Sequence, residues 1–357
     1  MDKKVLVAMS GGVDSSVTAL LLKERGYDCM GATMNLFQNE TIGMPLDRSC
    51  CSISDIQDAE NICRNIGIDH KVFNFQEKFR EEVIERFVCA YEQGRTPNPC
   101  IDCNRYMKFG QLFARAEELG YHYIATGHYA RVEQDPESGR YLLKKAKDKH
   151  KDQTYVLYSL TQEMLSRSIF PLGAFTKEEV RGIASANRFI NAQKSESQDI
   201  CFVKDQSYDE FIEFYRGKTF PPGDFLDMQG NVIGRHKGII RYTIGQRKSL
   251  GVSLGEPVFV YDKDPAANTV TLARDSELYR RELTAKDINL IKTGSIDGVV
   301  KVKAKTRYNQ EEQPATVTRL DEDTIRVVFD EPQRAITKGQ AVVMYDGEDV
   351  YGGGTIV

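Results

Sequence analysis

The sequence predicts an α/β protein: a doubly wound parallel sheet in the N-terminal half, then a small β-rich segment, then a C-terminal β-barrel. Three observations carry this reading. Residues 1 to about 130 alternate short apolar runs with helical patterns, the order that builds a parallel sheet. The cluster Phe220-Pro221-Pro222-Gly223 opens a turn-rich middle stretch. From about residue 285 the texture changes to short strands, with Val300, Val302 and Ala304 alternating with Lys301, Lys303 and Lys305.

Residues 5–9 are a short buried strand, followed by a helix over about 14–23 that Gly26 is placed to end. A second strand is expected over 29–37. Ser54 reads as the N-cap of a helix that carries Ile56, Ala59, Ile62, Cys63 and Ile66 on one face and stops at Gly67. A third strand follows at 70–75, helices at about 77–92 and 106–119, and a fourth strand at 121–126. Residues 155–200 read as helical and connective. Barrel strands are expected at 316–320, 324–329 and 341–345.

A chain of 357 residues suggests two or three domains. It is 41% hydrophobic and 28% charged, and no apolar run approaches the roughly 20 residues of a membrane span. The N-terminus runs directly into a Gly-rich turn, so a cytoplasmic protein without a membrane partner is expected. The net charge of −4 argues against a polyanion partner, but two local stretches argue for one. Residues 140–153 carry a net +4 and residues 234–248 a net +5. Either is equally readable as a solvated face.

The turn Ser10-Gly11-Gly12-Val13-Asp14-Ser15-Ser16 lies between the first strand and first helix. Its glycines let backbone N–H groups approach a phosphate, and the helix N-terminus adds a favourable field. It is neither a Walker A loop nor GxGxxG. SGGVDSS matches the loop of ATP pyrophosphatases, which split ATP between the α- and β-phosphates and adenylate an oxygen. The loop narrows the reaction and leaves the nucleophile open.

Eight cysteines stand at 29, 50, 51, 63, 89, 100, 103 and 201. A cytosolic chain keeps them reduced. Cys29, Cys63 and Cys89 fall in strand and helix patterns as small core residues, and Cys50-Cys51 reads as a structural loop. The segment Gly94-Arg95-Thr96-Pro97-Asn98-Pro99-Cys100-Ile101-Asp102-Cys103-Asn104 holds a C-x-x-C pair behind two stiffening prolines, and Cys201 gives a third cysteine in a polar setting. A C-x-x-C pair suits zinc, redox chemistry or an iron–sulfur cluster.

SGGVDSS, GRTPNPCIDCN, ATGHYAR, KDQTYVLY, SESQDICFV and YTIGQRKSLG resemble, in order, the motifs of the tRNA-specific 2-thiouridylase (MnmA) family and together cover most of the chain. The resemblance implies three domains: a pyrophosphatase-type domain (1–205), a central tRNA-contacting domain (206–280) and a barrel (281–357). It implies ATP-dependent 2-thiolation of the wobble uridine of tRNA, with Mg²⁺, the tRNA anticodon stem-loop, and a cysteine desulfurase or sulfur-relay protein as partners. By motif, Ala8, Met9, Ser10, Gly11, Gly12, Val13, Asp14 and Ser15 hold ATP, with Met34 and Gly127 near its nucleoside. Cys103 is the nucleophile and Cys201 the persulfide carrier. Asn98, Pro99 and Cys100 line the target base, while His128, Lys151, Asp152, Gln153, Arg307, Tyr308 and Gln340 face tRNA.

Many members have Asp where this chain has Cys100. Three cysteines from two loops also resemble related sulfur-transfer pyrophosphatases in which such a set holds a [4Fe–4S] cluster. Two schemes are therefore expected in competition: a persulfide on Cys201, or a cluster on Cys100, Cys103 and Cys201. The competing functions are an adenylating small-molecule ligase or amidotransferase and a tRNA-binding protein without catalysis.

Overall fold

The computed structural model describes residues 3–38, 53–194, 200–203, 207–252 and 255–357. Strands β1 (Lys4–Ala8), β2 (Asp28–Asn35), β3 (Asp69–Asn74) and β4 (Tyr123–Ala125) pair in parallel, with helix α1 (Val13–Glu24) after β1 and α2 (Ile53–Ile66) after β2. A two-residue strand, Ser168–Ile169, joins the edge beside β4. Leu6, Val7 and Ala32 are completely buried, as expected where helices cover both faces of a sheet. Helix α1 is buried on almost every side, from Val13 through Leu22, so its apolar residues form no single stripe.

Two antiparallel strands, β5 (Arg131–Gln134) and β6 (Tyr141–Lys144), leave the sheet as a hairpin. The middle of the chain folds as a four-stranded sheet of Gly223–Leu226, Val232–His236, Phe259–Asp264 and Thr269–Ala273. The C-terminal strands Tyr279–Leu290, Val299–Lys305, Gln313–Arg319, Ile325–Arg334, Ala341–Asp346 and Asp349–Ile356 pair antiparallel. Pairing of the first with the last closes a six-stranded barrel.

The hairpin extends this barrel, because Lys144 pairs with Asp349. One continuous core runs from Leu6 and Phe87 through Phe225 and Val260 to Val343 and Tyr345, so the three parts pack as one body. Among the described residues, no helix is long and apolar enough to cross a membrane.

Candidate active site

At the carboxyl end of β1, Met9 donates its N–H to the Ala32 carbonyl at 2.8 Å, and the chain turns through Ser10–Gly12 into α1. Gly11 has φ +71°, and a Cβ there would fall 2.4 Å from the Asp55 carbonyl oxygen. The Ser15 hydroxyl accepts from Ser10 N–H at 3.2 Å and donates to the Gly12 carbonyl at 3.0 Å, and Ser16 donates to the same carbonyl at 3.0 Å. Lys177 Nζ donates to both Asp14 oxygens at 2.7 and 2.8 Å, and the Tyr129 hydroxyl adds a third bond at 3.0 Å.

Sequence reasoning missed two distant residues that fasten this loop. Asn191, buried, donates from Nδ2 to the Gly11 carbonyl and to Ser16 Oγ, both at 2.9 Å. A carbonyl only accepts, so the amide orientation is fixed. Lys194 Nζ stands 3.4 Å from the same carbonyl and bridges Asp55 at 2.5 Å and Asp58 at 2.8 Å. No local signal in the sequence links these positions to the loop, some 180 residues away.

The cysteine pair opens a helical rod over residues 99–118. Asn98 caps it, its side-chain oxygen accepting from Cys100 N–H at 3.1 Å, and Pro99 occupies the first helical position, where its missing N–H is no loss. From Cys103 to Gln111 the turns widen to π-helical geometry, a feature frequent at functional sites. The wide turn brings the Lys108 ammonium into the field of the thiols. Burial pushes the Cys103 thiol up to about 11 against the pull of Lys108. Cys100 is shifted in the same direction by the protein around its thiol, although the residue itself reaches the surface. Burial also raises Asp102 to about 6 against Arg86 and Arg105.

Lys108 Nζ lies 3.3 Å from His128 Nε2, and His128 Nδ1 lies 2.7 Å from Thr126 Oγ1. Burial, with Lys108 second, holds His128 well below its ordinary pKa, so the ring is neutral. An ammonium has no acceptor; Nε2 therefore accepts and Nδ1 carries the proton, a tautomer assigned from the network. Next to His128, a Cβ on Gly127 would stand 2.9 Å from the Asp14 carbonyl carbon and 3.0 Å from Ser15 N. Contacts thus join the Ser10–Ser16 loop, Gly127, His128 and Lys108, and Lys108 stands on the same helical rod as Cys100 and Cys103. Met34 is half-buried near the end of β2.

Cys201 is half-buried, and Phe202 beside it is sealed among Phe87, Phe79 and Phe211, with ring centroids at 5.2, 5.8 and 5.2 Å. Neither it nor Cys100 or Cys103 is in a disulfide. Among the described residues no group of three or more His, Cys, Asp or Glu side chains is arranged to hold a metal ion. Cys29 and Cys63 are core residues, as expected from their patterns. Cys89 is half-buried and hydrogen-bonded to Glu85. Cys50, Cys51 and residues 195–199 lie outside the described residues.

Several side chains expected to face RNA are engaged internally. His128 is only 6% exposed, packed beside Phe109 and Phe170. Asn98 spends its oxygen on the cap. Asp152 accepts from Ala146 N–H at 3.0 Å and the Thr154 hydroxyl at 2.5 Å, and Gln153 accepts from Tyr129 N–H at 2.9 Å. Gln340 donates to the Thr96 carbonyl at 2.8 Å. The basic stretch 140–153 is not a free cationic face either. Lys144 pairs with Glu133, Lys145 with Glu312 and Lys147 with Glu179, while Arg140 donates to the Leu290 and Ile291 carbonyls.

The second basic stretch keeps part of its charge: Arg235 pairs with Asp224, and Arg241 with Asp209 and Glu213. Lys237, Arg247 and Lys248 are exposed and have no ion-pair partner among the described residues. Gly245 in the same stretch lies against Arg334 and Arg307 of the barrel. Arg307 donates to the Ala335 carbonyl at 2.6 Å, and Tyr308 is 36% exposed.

Three families match the chain in succession: the tRNA methyl transferase HUP domain over residues 3–205, the tRNA methyl transferase PRC-barrel domain over 209–274 and the aminomethyltransferase beta-barrel domain over 280–356. A tRNA-specific 2-thiouridylase MnmA of Clostridioides difficile is 49% identical over 356 residues, spanning 100% of this chain and 98% of that relative. Another from Carboxydothermus hydrogenoformans is 50% identical over 356 residues, spanning 99% and 97%. The two kinds of description differ in the reaction they name, and the SGGVDSS loop with the paired cysteines suits thiolation. With near-complete coverage at this identity, the chain belongs to the tRNA-specific 2-thiouridylase family.

Proposed function

We propose that this protein replaces O2 of the wobble uridine of tRNA with sulfur, consuming ATP. The observation that carries the reading is the chain of contacts from the Ser10–Ser16 loop through Gly127 and His128 to Lys108, which stands on the same helical rod as Cys100 and Cys103. It supports a reading in which the ATP loop and Cys103 serve one reaction.

The loop N–H groups and the start of α1 hold the ATP phosphates, with Mg²⁺ accompanying the nucleotide. Lys237, Arg247, Lys248, Arg307 and Tyr308 grip the tRNA, and the uridine leaves its stack to reach the site. Lys151, Asp152, Gln153 and His128 stay part of this reading mainly as supports of the surface.

The chemistry balances as follows. Uracil O2 attacks the α-phosphorus and pyrophosphate leaves. The terminal sulfur of a Cys201 persulfide attacks C2 and expels AMP. The Cys103 thiolate then attacks the Cys201 sulfur, releasing thiouridine and leaving a Cys103–Cys201 disulfide, which a dithiol reductant reopens. A cysteine desulfurase or relay protein recharges Cys201. No group arranged to hold a metal ion is found among the described residues, and no step is routed through a cluster. The test is pyrophosphate release that requires tRNA, followed by nucleoside mass spectrometry of the product; pyrophosphate release without tRNA, on a small amide, would favour a ligase instead.

Asn191 supplies a separate check on the loop. Removing a buried hydrogen bond here costs about 1–3 kcal/mol. Asn191→Ala is expected to raise KM for ATP about tenfold while KM for tRNA holds; an unchanged KM for ATP would contradict the fastening role.

A further inference from the structure

The segment that carries Cys100 and Cys103 is held at both ends by the C-terminal barrel. At its start, Gln340 donates to the carbonyls of Thr96, at 2.8 Å, and Pro97, at 3.4 Å, and Thr96 N–H donates to the Lys338 carbonyl at 2.9 Å. Gly339 between them has φ +90°, and a Cβ there would stand 3.0 Å from Thr96 N. At its end, Arg105, two residues after Cys103, donates to both oxygens of Asp287 at 2.5 and 3.1 Å.

Asp287 is built to reach that far. In the first barrel strand, Lys286 faces Thr355 and Asn289 faces Gly353, so residues 287 and 288 stand opposite one residue of the partner strand. This is a bulge, a device that re-aims a side chain. Asp287 itself has φ +52°, a left-handed conformation that a non-glycine residue adopts against a steric penalty. Asn289, two residues on, donates to the carbonyls of Tyr158 and Leu160 at 2.7 and 2.8 Å and fixes the bulge against the α/β domain.

We propose that Asp287 and Gln340 are positioning residues for thiolation: the barrel clamps both ends of the cysteine segment and sets where its thiols stand relative to the ATP loop. The inference rests on the reading of Cys103 as a reacting group. The Asp287 and Arg105 side chains are 55% and 32% exposed, so their ion pair contributes little to stability and its geometric value dominates. The bidentate fork fixes the Arg105 end in orientation as well as distance.

The experiment is steady-state thiolation of a tRNA transcript by the full-length protein and four variants: Asp287→Ala, Asp287→Gly, Asp287→Glu and Gln340→Ala. Asp287→Gly loses the carboxylate but relaxes the strained backbone, so a loss of activity there is not a loss of fold. Small displacements of a reacting group reduce rate strongly. Expected is a kcat lowered about tenfold in Asp287→Ala, Asp287→Gly and Gln340→Ala, with KM for tRNA within about twofold of the parent, and substantial recovery in Asp287→Glu.

A raised KM for tRNA at unchanged kcat would make these residues RNA contacts and overturn the clamp; so would parental kcat in Asp287→Gly. Cys103→Ala, assayed alongside, separates the two levels. Activity in that variant overturns the cysteine reading and the clamp with it, whereas an inactive Cys103→Ala beside fully active Asp287 variants overturns the clamp alone.

Discussion

Cys201→Ala is expected to lower thiolation by about a thousandfold or more while tRNA-dependent pyrophosphate release continues. Removal of a covalent participant typically has an effect of that size. The split between the two half-reactions follows from the architecture. The ATP loop is fastened by Asn191, Lys194 and Lys177, none of which uses the Cys201 side chain. Phe202 anchors its neighbour in an aromatic cluster independently of the sulfur. Adenylated tRNA should therefore accumulate or turn over without sulfur, and a sulfur-labelled persulfide should be missing from the protein. Thiolation at the parental rate by Cys201→Ala would remove this residue from the sulfur path.

Gly127→Ala is the second large effect. The added methyl would meet the carbonyl carbon and Cβ of Asp14 at 2.9 Å and Ser15 N at 3.0 Å. These are atoms of the loop backbone and its first turn. Lys177, Tyr129 and the Ser10–Ser15 bonds hold them, so the loop has no easy direction in which to give. Overpacking of this kind costs about 1–3 kcal/mol. Expressed at the ATP site, that is a KM for ATP raised roughly five- to 150-fold. Titration of pyrophosphate release against ATP measures it, and a parental KM would mean that Gly127 does not bear on the nucleotide site.

The parts of the fold legible in the sequence are those whose physics is local. Buried parallel strands are short apolar runs, and the 5–9 run is β1. The Ser10–Ser16 loop is visible because its glycines and serines satisfy one another within seven residues. The alternation at Val300, Val302 and Ala304 survives in a barrel strand whose Val302 and Ala304 are buried.

What was not legible depends on partners far along the chain. The β5–β6 hairpin is made of charged and short segments, and Lys144 makes sense there only beside Asp349. Read locally, residues 140–153 are a basic patch; folded, their cations are matched by Glu133, Glu312 and Glu179. Gln340 faces tRNA by motif and is a tie to the cysteine loop in space. His128 shows the same gap: by motif it faces tRNA, while in the fold Phe109, Phe170, Thr126 and Lys108 enclose it.

The most direct test of the account combines the purified protein with ATP, an unmodified tRNA transcript, and a cysteine desulfurase or relay protein supplied with labelled cysteine sulfur. The tRNA is then digested and its nucleosides separated by mass. The account predicts labelled 2-thiouridine at the wobble position, dependent on ATP and lost in Cys103→Ala and Cys201→Ala. Labelled 2-thiouridine formed equally by both cysteine variants, or none formed by the parent protein, would contradict it.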